Sequence, residues 1–281
     1  MIAVCPNPYR DTGLAVTEEA VRLLHDEGFE TRICPIYSDS AEGLIPPELE
    51  VSRLEDIVAD CSLAVVIGGD GTILAASRKL ADNVVPILGV NLGTKGFMTA
   101  LEPEELSCVR KAAHGEYRIS RRMKLDTELI RDGKTIYRDV ALNDAVIHGY
   151  GDCINIHVSC NGDRMTEFSG DGVVLSTPTG STGYSMSAGG PIVEPDAENI
   201  LISPICPHVM GSRTFVLGPD REVSVRVERL HGRRAYLSVD GNSVVDLANE
   251  DIVTVRRAAS YTRMVDLGRR SFYETAYEKL R

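Results

Sequence analysis

Residues Ala64–Leu74 read AVVIGGDGTIL, an apolar run that breaks into Gly-Gly-Asp-Gly-Thr and then resumes with helical spacing. This pattern predicts a glycine loop between a strand and the start of a helix. Such a loop exposes backbone N–H groups and the positive end of the helix dipole, which together can hold an anion. The spacing matches neither G-x-x-x-x-G-K-[ST] nor G-x-G-x-x-G. The pattern therefore predicts a tight turn whose backbone approaches phosphate. The predicted phosphate-binding residues are Gly68, Gly69, Gly71 and Thr72.

A carboxylate, Asp70, lies inside this glycine loop. Unit charges 4 Å apart at an effective dielectric near 20 interact by roughly 4 kcal/mol, so a bare carboxylate would oppose phosphate binding. Either a Mg²⁺ ion lies between the anions, or the carboxylate faces a hydroxyl that attacks the phosphoryl group, which makes Asp70 a general base. The alternative is that Asp70 caps the following helix, since Asp is a favoured N-cap residue. The two roles are compatible.

Composition bounds the kind of protein and its partners. The chain has 281 residues, 43% of them hydrophobic and 25% charged, which is ordinary for globular domains. The net charge is −11, and the arginine pairs are scattered, so nucleic acid is not an expected partner. Neither a signal-like amino terminus nor an apolar run of about 18 residues occurs, so we expect a cytoplasmic protein without membrane contact. The seven scattered cysteines indicate free thiols.

The chain changes character near residue 120. Before it, apolar runs alternate with stretches of helical spacing, which predicts a mostly parallel sheet with helices on its faces. After it, alternating runs are separated by Asp-Gly and Asn-Gly turn signals, which predicts antiparallel strands. We therefore expect an α/β amino-terminal domain and a β-rich carboxy-terminal domain. The predicted boundaries are 1–119 for the α/β domain, 120–260 for the β-rich domain, and 261–281 for a terminal segment whose helix packs back on the first domain.

The second informative stretch is Ser176–Gly190, STPTGSTGYSMSAGG. Eight of its fifteen residues carry hydroxyls, and no charged residue occurs between Asp171 and Glu194. Neutral hydrogen-bonding groups suit ribose and the edges of a base, and Tyr184 could stack on a base. A buried turn between strands is the alternative. The run VVLSTPTG directly follows Asp171-Gly172, and because this places an acid at the mouth of a polar pocket, ligand binding is the favoured interpretation.

Asn143 and Asp144 interrupt the apolar run VALNDAVIHG in what the pattern predicts to be mid-strand, where both residue types are disfavoured. Either a bulge presents them to a pocket, or they lie on the wet face of a sheet. His148 and His208 are interpreted as hydrogen-bonded structural histidines, because no nucleophile partner for either is evident.

Five motifs, in order and spacing, closely resemble those of the NAD kinases. The resemblance runs nearly from end to end and includes the closing LGRRSFYETAYEKL. The first motif alone is only moderately specific, because diacylglycerol and sphingoid lipid kinases and phosphofructokinases carry similar loops. The motifs are GGDGT at 68–72, GVNLGTKGF at 89–97, ND at 143–144, DGVVLSTPTGSTGYSMSAGGPIV at 171–193 and PICPH at 204–208.

The resemblance implies phosphorylation of the 2′-hydroxyl of the adenosine ribose of NAD to give NADP. The donor would be ATP or polyphosphate, with Mg²⁺ or Mn²⁺, and the protein would be a homo-oligomer whose partners are these small molecules. Its fold would be an α/β domain and a β-rich domain with the site in the cleft between them. Asp70 would be the catalytic base. The residues implied to bind substrate are Leu74, Phe97, Asn143, Asp144, Asp171, Thr179, Thr182, Gly183, Tyr184 and Ser187.

Three positions depart from the family pattern. Asp144 stands where the family usually has Glu, which shortens the carboxylate by one methylene, and Gly183 stands where Ala is usual. Lys95 stands where Leu is usual, and its side chain either reaches a phosphate or extends to solvent over its packed stem. Two other functions stay open at this point: a lipid kinase with the same GGDGT loop, and a non-catalytic NAD(P)-binding sensor that would not need Asp70.

Overall fold

Two units make up the chain in the computed structural model, which describes residues 1–37, 43–47, 49–80, 84–93, 96–209, 211–242 and 244–280. The first unit comprises Met1–Arg121 and Thr262–Arg281, and the second comprises Arg122–Tyr261. No helix among the described residues is long and apolar enough to cross a membrane.

The strands and helices have the following bounds. The strands are β1 (Ile2–Pro6), β2 (Thr31–Ile33), β3 (Leu63–Gly68), β4 (Ile87–Asn91), β5 (Arg118–Arg131), β6 (Lys134–Ala141), β7 (Asp144–Gly149), β8 (Ile154–Cys160), β9 (Asp163–Gly170), β10 (Gly172–Ser176), β11 (Ile200–Ile205), β12 (Phe215–Leu217), β13 (Val223–Glu228), β14 (Ala235–Val239), β15 (Val244–Leu247) and β16 (Ile252–Asp266). The helices are α1 (Ala15–Asp26), α2 (Leu54–Ile57), α3 (Asp70–Leu80), α4 (Val109–Ala113), α5 (Tyr184–Ser187) and α6 (Phe272–Lys279).

The first unit is built on a parallel sheet of order β2-β1-β3-β4, which the end of β16 extends through a parallel pairing of Met264 with Ile87. Every residue of β1, β3 and β4 is buried, as expected of parallel strands covered on both faces. Helix α3 packs close to the sheet, because a Cβ on Gly89 of β4 would lie 2.7 Å from Ile73 Cδ1. Ile73 therefore occupies the space that a side chain at position 89 would need.

The second unit contains a six-stranded antiparallel sheet of order β12-β11-β10-β7-β14-β15. An antiparallel layer of order β16-β13-β8-β9, with the β5–β6 hairpin, supplies the other half of its core. Side chains of both layers, such as Ile147 and Leu237 from one and Ile156 and Val225 from the other, form a single buried cluster. The unit is therefore a two-layer β-sandwich.

The predicted fold class is confirmed: the first sheet is parallel and the second unit is antiparallel. The predicted turns form with positive φ at both residues, between +50° and +87°, which is the backbone of type I′ hairpin turns. These are Asp132-Gly133 between β5 and β6, Asn161-Gly162 between β8 and β9, and Asp240-Gly241 after β14.

Helix α3, which carries the glycine loop at its start, is tied to the returning strand by one buried hydrogen bond. The hydroxyls of Ser77 on α3 and Thr262 on β16 lie 2.6 Å apart, and both residues are buried. A buried hydroxyl that loses its partner costs free energy, whereas replacing both partners by apolar groups can be nearly neutral.

We therefore expect Ser77→Ala to lower the free energy of unfolding by about 1–3 kcal/mol, and the double variant Ser77→Ala/Thr262→Val to recover most of that loss. Urea unfolding of both variants measures the difference. A double variant at least as unstable as Ser77→Ala would contradict the assignment.

Candidate functional site

Three loops meet at the carboxyl edge of the parallel sheet, where ligands bind in open α/β sheets. They follow β1, β3 and β4, and backbone hydrogen bonds join them: Asn7 N–H donates to Ile67 O (2.8 Å), and Leu92 N–H donates to Gly68 O (2.6 Å). The pairing of neighbouring parallel strands therefore delivers all three loops to one place.

A pocket of about 490 Å³ lies among these loops, within the 300–1,000 Å³ range typical of small-molecule sites. Among the described residues that line it, Arg10 is the one basic side chain and Asp70 the one carboxylate. The lining residues are Asn7, Tyr9, Arg10, Tyr37, Gly69, Asp70, Gly71, Thr72 and Gly93.

Asp70 is the first residue of α3, not its cap. The carbonyl of Gly69 accepts the first intrahelical bonds, from Thr72 N–H (2.9 Å) and Ile73 N–H (3.2 Å), so Gly69 takes the N-cap position. The carboxylate of Asp70 instead accepts the backbone N–H groups of Phe97 and Met98, each at 3.0 Å. Asp70 thereby joins the GGDGT motif to the end of the GVNLGTKGF motif.

The glycines of the loop provide space and not an unusual backbone, because none of Gly68, Gly69 and Gly71 has positive φ. A Cβ on Gly68 would lie 2.3 Å from Thr72 Oγ1, so this glycine lets the Thr72 side chain pack. A Cβ on Gly71 would meet nothing within 4 Å. The glycines therefore allow close approach to the backbone because they lack side chains.

The hydroxyl of Thr72 is buried and engaged within the protein. It accepts from Asn7 Nδ2 (3.0 Å) and from Gly69 N–H (3.3 Å). Asn7 Oδ1 in turn accepts the N–H of Tyr9 at 3.1 Å. Thr72 therefore holds the loop after β1 against the glycine loop, and its predicted contact with donor phosphate stays a prediction.

In the second unit, Asn143 and Asp144 lie where β7 begins, in the turn from β6, and not in mid-strand as the pattern predicted. The turn is held by Asp240, whose carboxylate accepts the N–H groups of Leu142 (2.7 Å), Asn143 (2.7 Å) and Asp144 (3.0 Å). These bonds explain how polar residues can interrupt an apolar run: another carboxylate satisfies the backbone there.

The hydroxyl-rich stretch packs directly on that turn. Thr177 donates its N–H to Asn143 O (2.9 Å) and its hydroxyl to Leu142 O (2.6 Å). A Cβ on Gly180 would lie 2.2 Å from Asn143 O, so only glycine fits there. The motifs at 143–144 and 171–193 are therefore parts of one site.

Much of the stretch matches the alternative of a buried turn. Ser176, Thr177, Thr179, Ser181 and Ser185 are buried. Ser181 bonds the backbone of Val193, and Ser185 bonds Ser203. Thr182 and Gly183 are half-buried, while Tyr184 and Ser187 are exposed, so these four residues face outward.

Within the described part of the chain, two buried oxygen atoms at this site have no hydrogen-bond partner: Asn143 Oδ1 and Thr179 Oγ1. A Cβ on Gly183 would lie 3.7 Å from Asn143 Nδ2, so the outward-facing part of the stretch adjoins the same amide. Buried polar atoms are nearly always bonded in native proteins, so each orphan needs a partner. Polar groups of a ligand would provide it.

Asp144 is buried and adjoins a second acid. Burial, and next the negative charge of Asp240, raise the pKa of Asp144 to about 7. Three amide donors favour the charged form of Asp240, although burial raises its pKa overall. Asp144 therefore binds or releases a proton near neutral pH.

Asp171 lies directly before β10 and is hydrogen-bonded to Cys206. A hydrogen bond to Asp171, followed by its charge, raises the pKa of the exposed Cys206 thiol, which stays protonated at neutral pH. Burial raises the pKa of Tyr184, and the charges of Asp171 and Asp144 add to this. The tyrosine hydroxyl therefore stays protonated at neutral pH and can donate a hydrogen bond.

The structure thus groups the predicted residues into two sets. In the first unit, Asp70 bonds the amide of half-buried Phe97, and Leu74 lies one turn along α3 from Asp70. In the second unit, Asn143, Asp144 and Thr179 meet at the β7 turn. Lys95, for which a phosphate contact and extension to solvent were both left open, lies outside the described residues. His148 and His208 are hydrogen-bonded as interpreted, and all seven cysteines, each in a described range, are free thiols.

Sequence reasoning missed the loop after β1. Asn7, Tyr9 and Arg10 line the pocket, as does Tyr37 after β2. The available signal was positional, because polar residues that directly follow a buried parallel strand lie at the ligand-binding edge of the sheet.

The residues present fit a divalent metal that is carried on phosphates. Among the described residues, no group of three or more His, Cys, Asp or Glu side chains could hold a metal ion. Mg²⁺ commonly uses only one or two carboxylates together with substrate phosphates. Asp70 is the pocket residue that could contact such a metal.

Comparisons with known proteins agree with this geometry. The ATP-NAD kinase N-terminal domain model matches residues 2–117, and the ATP-NAD kinase C-terminal domain model matches residues 142–267. An NAD kinase of Citrifermentans bemidjiense is 35% identical over 283 residues, covering 100% of this chain and 98% of the relative. An NAD kinase of Geobacter sulfurreducens is 40% identical over 243 residues, covering 85% and 82%.

Two solved structures share the fold. The chain resembles yeast NADH kinase complexed with NADH, with a TM-score of 0.86, 26% identity, and coverage of 99% of this chain and 86% of that one. It also resembles an NAD kinase from Archaeoglobus fulgidus in complex with ATP, with a TM-score of 0.79, 23% identity, and coverage of 100% and 98%. The parallel sheet, glycine loop and β-sandwich are those of a nucleotide-dependent kinase. The chain belongs to the ATP–NAD kinase family.

Because the space around Gly68 and Gly71 differs, we expect alanine substitution to affect the free energy of unfolding differently at the two positions. Gly68→Ala is expected to lower the free energy of unfolding by about 1–3 kcal/mol, because the new methyl group overlaps Thr72. Gly71→Ala, in open space near the start of α3, is expected to leave stability unchanged or raise it by up to about 1 kcal/mol. Thermal unfolding measures both, and equal destabilisation would refute the difference in space.

Asp144 predicts a pH dependence of stability. Its folded-state pKa is raised, so the unfolded chain ionises first as pH rises from about 4, while the folded protein keeps the proton until about pH 7. Stability contributed by protonated Asp144 is therefore full below about pH 4 and is lost as pH rises through about 7.

We expect Asp144→Asn to gain stability relative to wild type between pH 5 and pH 8, by at most about 3 kcal/mol, because only the roughly two pH units between pH 5 and the raised pKa of about 7 contribute, at about 1.4 kcal/mol each. Urea unfolding at both pH values gives the difference, and the wild type measured alongside corrects for other groups such as Asp240. Parallel pH profiles would show that Asp144 does not titrate in this range.

Proposed function

We propose that this protein transfers the γ-phosphoryl group of ATP to the 2′-hydroxyl of the adenosine ribose of NAD, giving NADP and ADP. The observation that carries the proposal is the position of Asp70, a carboxylate in a pocket whose remaining described lining includes a glycine loop and an arginine. Membership of the ATP–NAD kinase family supports it over the whole chain.

Phosphoryl transfer needs positioning and charge stabilisation more than covalent chemistry from the protein. In the proposed reaction, Asp70 accepts the proton of the ribose 2′-hydroxyl as its oxygen forms a bond to the γ-phosphorus. The bond from that phosphorus to the β-phosphate oxygen breaks, and ADP leaves with the electron pair. Each carboxylate oxygen of Asp70 accepts one backbone N–H, which fixes the carboxylate for this task.

The donor phosphates are assigned to the backbone of Gly69, Gly71 and their neighbours in the loop. The open space at Gly71 supports this assignment, because a phosphate can approach the main chain there. Arg10 adds positive charge at the same pocket. A bound Mg²⁺ or Mn²⁺ ion would neutralise charge on the phosphates, with Asp70 as its contact. Polyphosphate remains an alternative donor.

NAD is assigned to the site in the second unit. The orphaned Asn143 Oδ1 and Thr179 Oγ1 support this assignment, since ribose hydroxyls and a base amino group are donors that could satisfy them. Asp144 and Asp171 would accept from ribose hydroxyls or amide groups. The outward-facing members of the hydroxyl-rich stretch complete the proposed set: Thr182, Gly183, Tyr184 and Ser187.

The comparisons give no support to a lipid kinase or to a non-catalytic sensor. We retain a cytoplasmic location, a homo-oligomeric state, and the absence of nucleic-acid and membrane partners as parts of the proposal.

The direct test incubates the purified protein with NAD, Mg²⁺ and ATP, and follows NADP with a dehydrogenase that accepts only NADP. A parallel reaction replaces ATP by polyphosphate. NADP formation that requires both substrates is the expected result. Absence of NADP while NAD still binds by calorimetry would contradict the kinase assignment.

The structure sharpens the test of Asp70. Asp70→Asn places an NH₂ group against Phe97 N–H or Met98 N–H, so we expect a loss of about 1–3 kcal/mol in stability besides a loss of about 10² to 10⁴ in kcat.

The two effects separate at saturating substrate and below the unfolding temperature. A base role lowers kcat there, whereas a purely structural role raises KM and lowers Tm but leaves kcat largely intact. A variant with a lowered Tm and near-wild-type kcat would end the base assignment.

A further inference from the structure

The pocket beside the glycine loop has an aromatic wall that phosphate binding does not explain. Tyr9 and Tyr37 line it, with ring centroids 6.3 Å apart and planes at 60°, an edge-to-face pair. Neither ring is needed to hold a phosphate chain, for which the backbone N–H groups and Arg10 suffice. An aromatic wall beside an anion site instead suits a ligand that joins a flat ring to phosphates.

Tyr37 is fixed at the inner end of this wall. Its hydroxyl donates to Gly71 O at 3.2 Å, so the ring stands directly beside the glycine loop. Burial raises the pKa of Tyr37, which keeps the phenol neutral next to an anionic ligand. The aromatic wall therefore begins at the same residue where the phosphate loop is open.

Tyr9 stands at the outer end and is held through its backbone. Its N–H donates to Asn7 Oδ1, and buried Asn7 is bonded to Thr72 Oγ1. Tyr9 as a residue is 53% exposed. The backbone of Tyr9 is thus anchored to the glycine loop, while much of the residue is exposed to solvent. A ligand ring could therefore cover the tyrosine with little loss of backbone conformational entropy.

Arg10 places a cation between the loop and the outer rim. Its Nη1 donates to Leu92 O at 3.3 Å, and the group lies 3.7 Å from the position that a Cβ on Gly93 would take. The guanidinium fork has five N–H donors and suits phosphate oxygens. In a chain with net charge −11, a cation at this rim favours an anionic ligand.

We infer that Tyr9 and Tyr37 bind the base of a nucleoside triphosphate donor whose phosphates lie on the glycine loop and Arg10. This inference rests on the proposed kinase function and adds the donor's recognition site to it. The pocket, at about 490 Å³, has room for a nucleotide and not only for a phosphate chain. A bare polyphosphate would leave the tyrosine wall uncovered, so the wall favours a nucleotide over polyphosphate.

The test compares KM for ATP and KM for NAD in Tyr9→Ala, with each second substrate saturating. We expect KM for ATP to rise about tenfold to a hundredfold, as for loss of one base–aromatic stack, and KM for NAD to stay within about twofold. Tyr9→Phe keeps the ring and is expected to match wild type. Tyr277→Ala removes a tyrosine of similar exposure (63%) on α6 and serves as the control for a lost surface ring.

Polyphosphate provides a donor without a base. Where wild type uses it, Tyr9→Ala should leave its kinetics unchanged; where wild type does not use it, the comparison of the two KM values decides alone. An unchanged KM for ATP, an equal loss with both donors, or a rise only in KM for NAD would overturn the inference. Failure of the proposed function is a different result, namely no NADP from the wild-type protein.

Discussion

In each unit, an aspartate from an Asp-Gly pair accepts several backbone N–H groups of a distant segment and so fixes a loop of the site. Asp70 holds Phe97 and Met98, and Asp240 holds Leu142, Asn143 and Asp144. Irregular backbone at a binding edge carries N–H groups that no neighbouring strand can accept, and leaving them buried and unbonded is costly. A carboxylate accepts two or three of them at once, and each bond is strengthened by its charge.

The same constraint explains why neighbouring acids behave differently. Burial raises the pKa of both acids; at Asp240 three amide donors oppose this shift, whereas at Asp144 the charge of Asp240 adds to it. A buried carboxyl with a shifted pKa is a candidate for binding a polar group of a ligand. In the proposed mechanism, two amides orient the carboxylate of Asp70, one bonded to each of its oxygens.

The fold class could be predicted because periodicity changes from helix–strand alternation to period-two strands, and because Asp-Gly and Asn-Gly pairs mark hairpins. The glycine loop, Asp70 and the hydroxyl-rich stretch were also evident in the sequence. The loop after β1 was not, since Asn7, Tyr9 and Arg10 match no motif and join the site only when β1 pairs with β3. Likewise, the reason Asn143 and Asp144 can follow β6 is Asp240, nearly a hundred residues further along the chain. Sequence periodicity indicates local secondary structure, whereas contacts between residues on different strands depend on how the strands pair and on their register.

The hydroxyl-rich stretch contains two kinds of polar group: some are hydrogen-bonded within the protein, and a few are left without a partner among the described residues. Thr177 donates its hydroxyl to Leu142 O and so holds the segment against the β7 turn, while the hydroxyls of Ser181 and Ser185 bond Val193 O and the Ser203 hydroxyl. Because these hydroxyls are already hydrogen-bonded within the protein, they are poorly placed to form hydrogen bonds with a ligand. In the proposed NAD site, a small set of groups remains to recognise the ligand: the orphaned oxygens of Asn143 and Thr179, two acids, and the outward-facing Tyr184. A rigid neutral scaffold that leaves a few polar atoms unsatisfied discriminates by geometry, since a ligand lacking the matching donors would leave those atoms buried and unbonded.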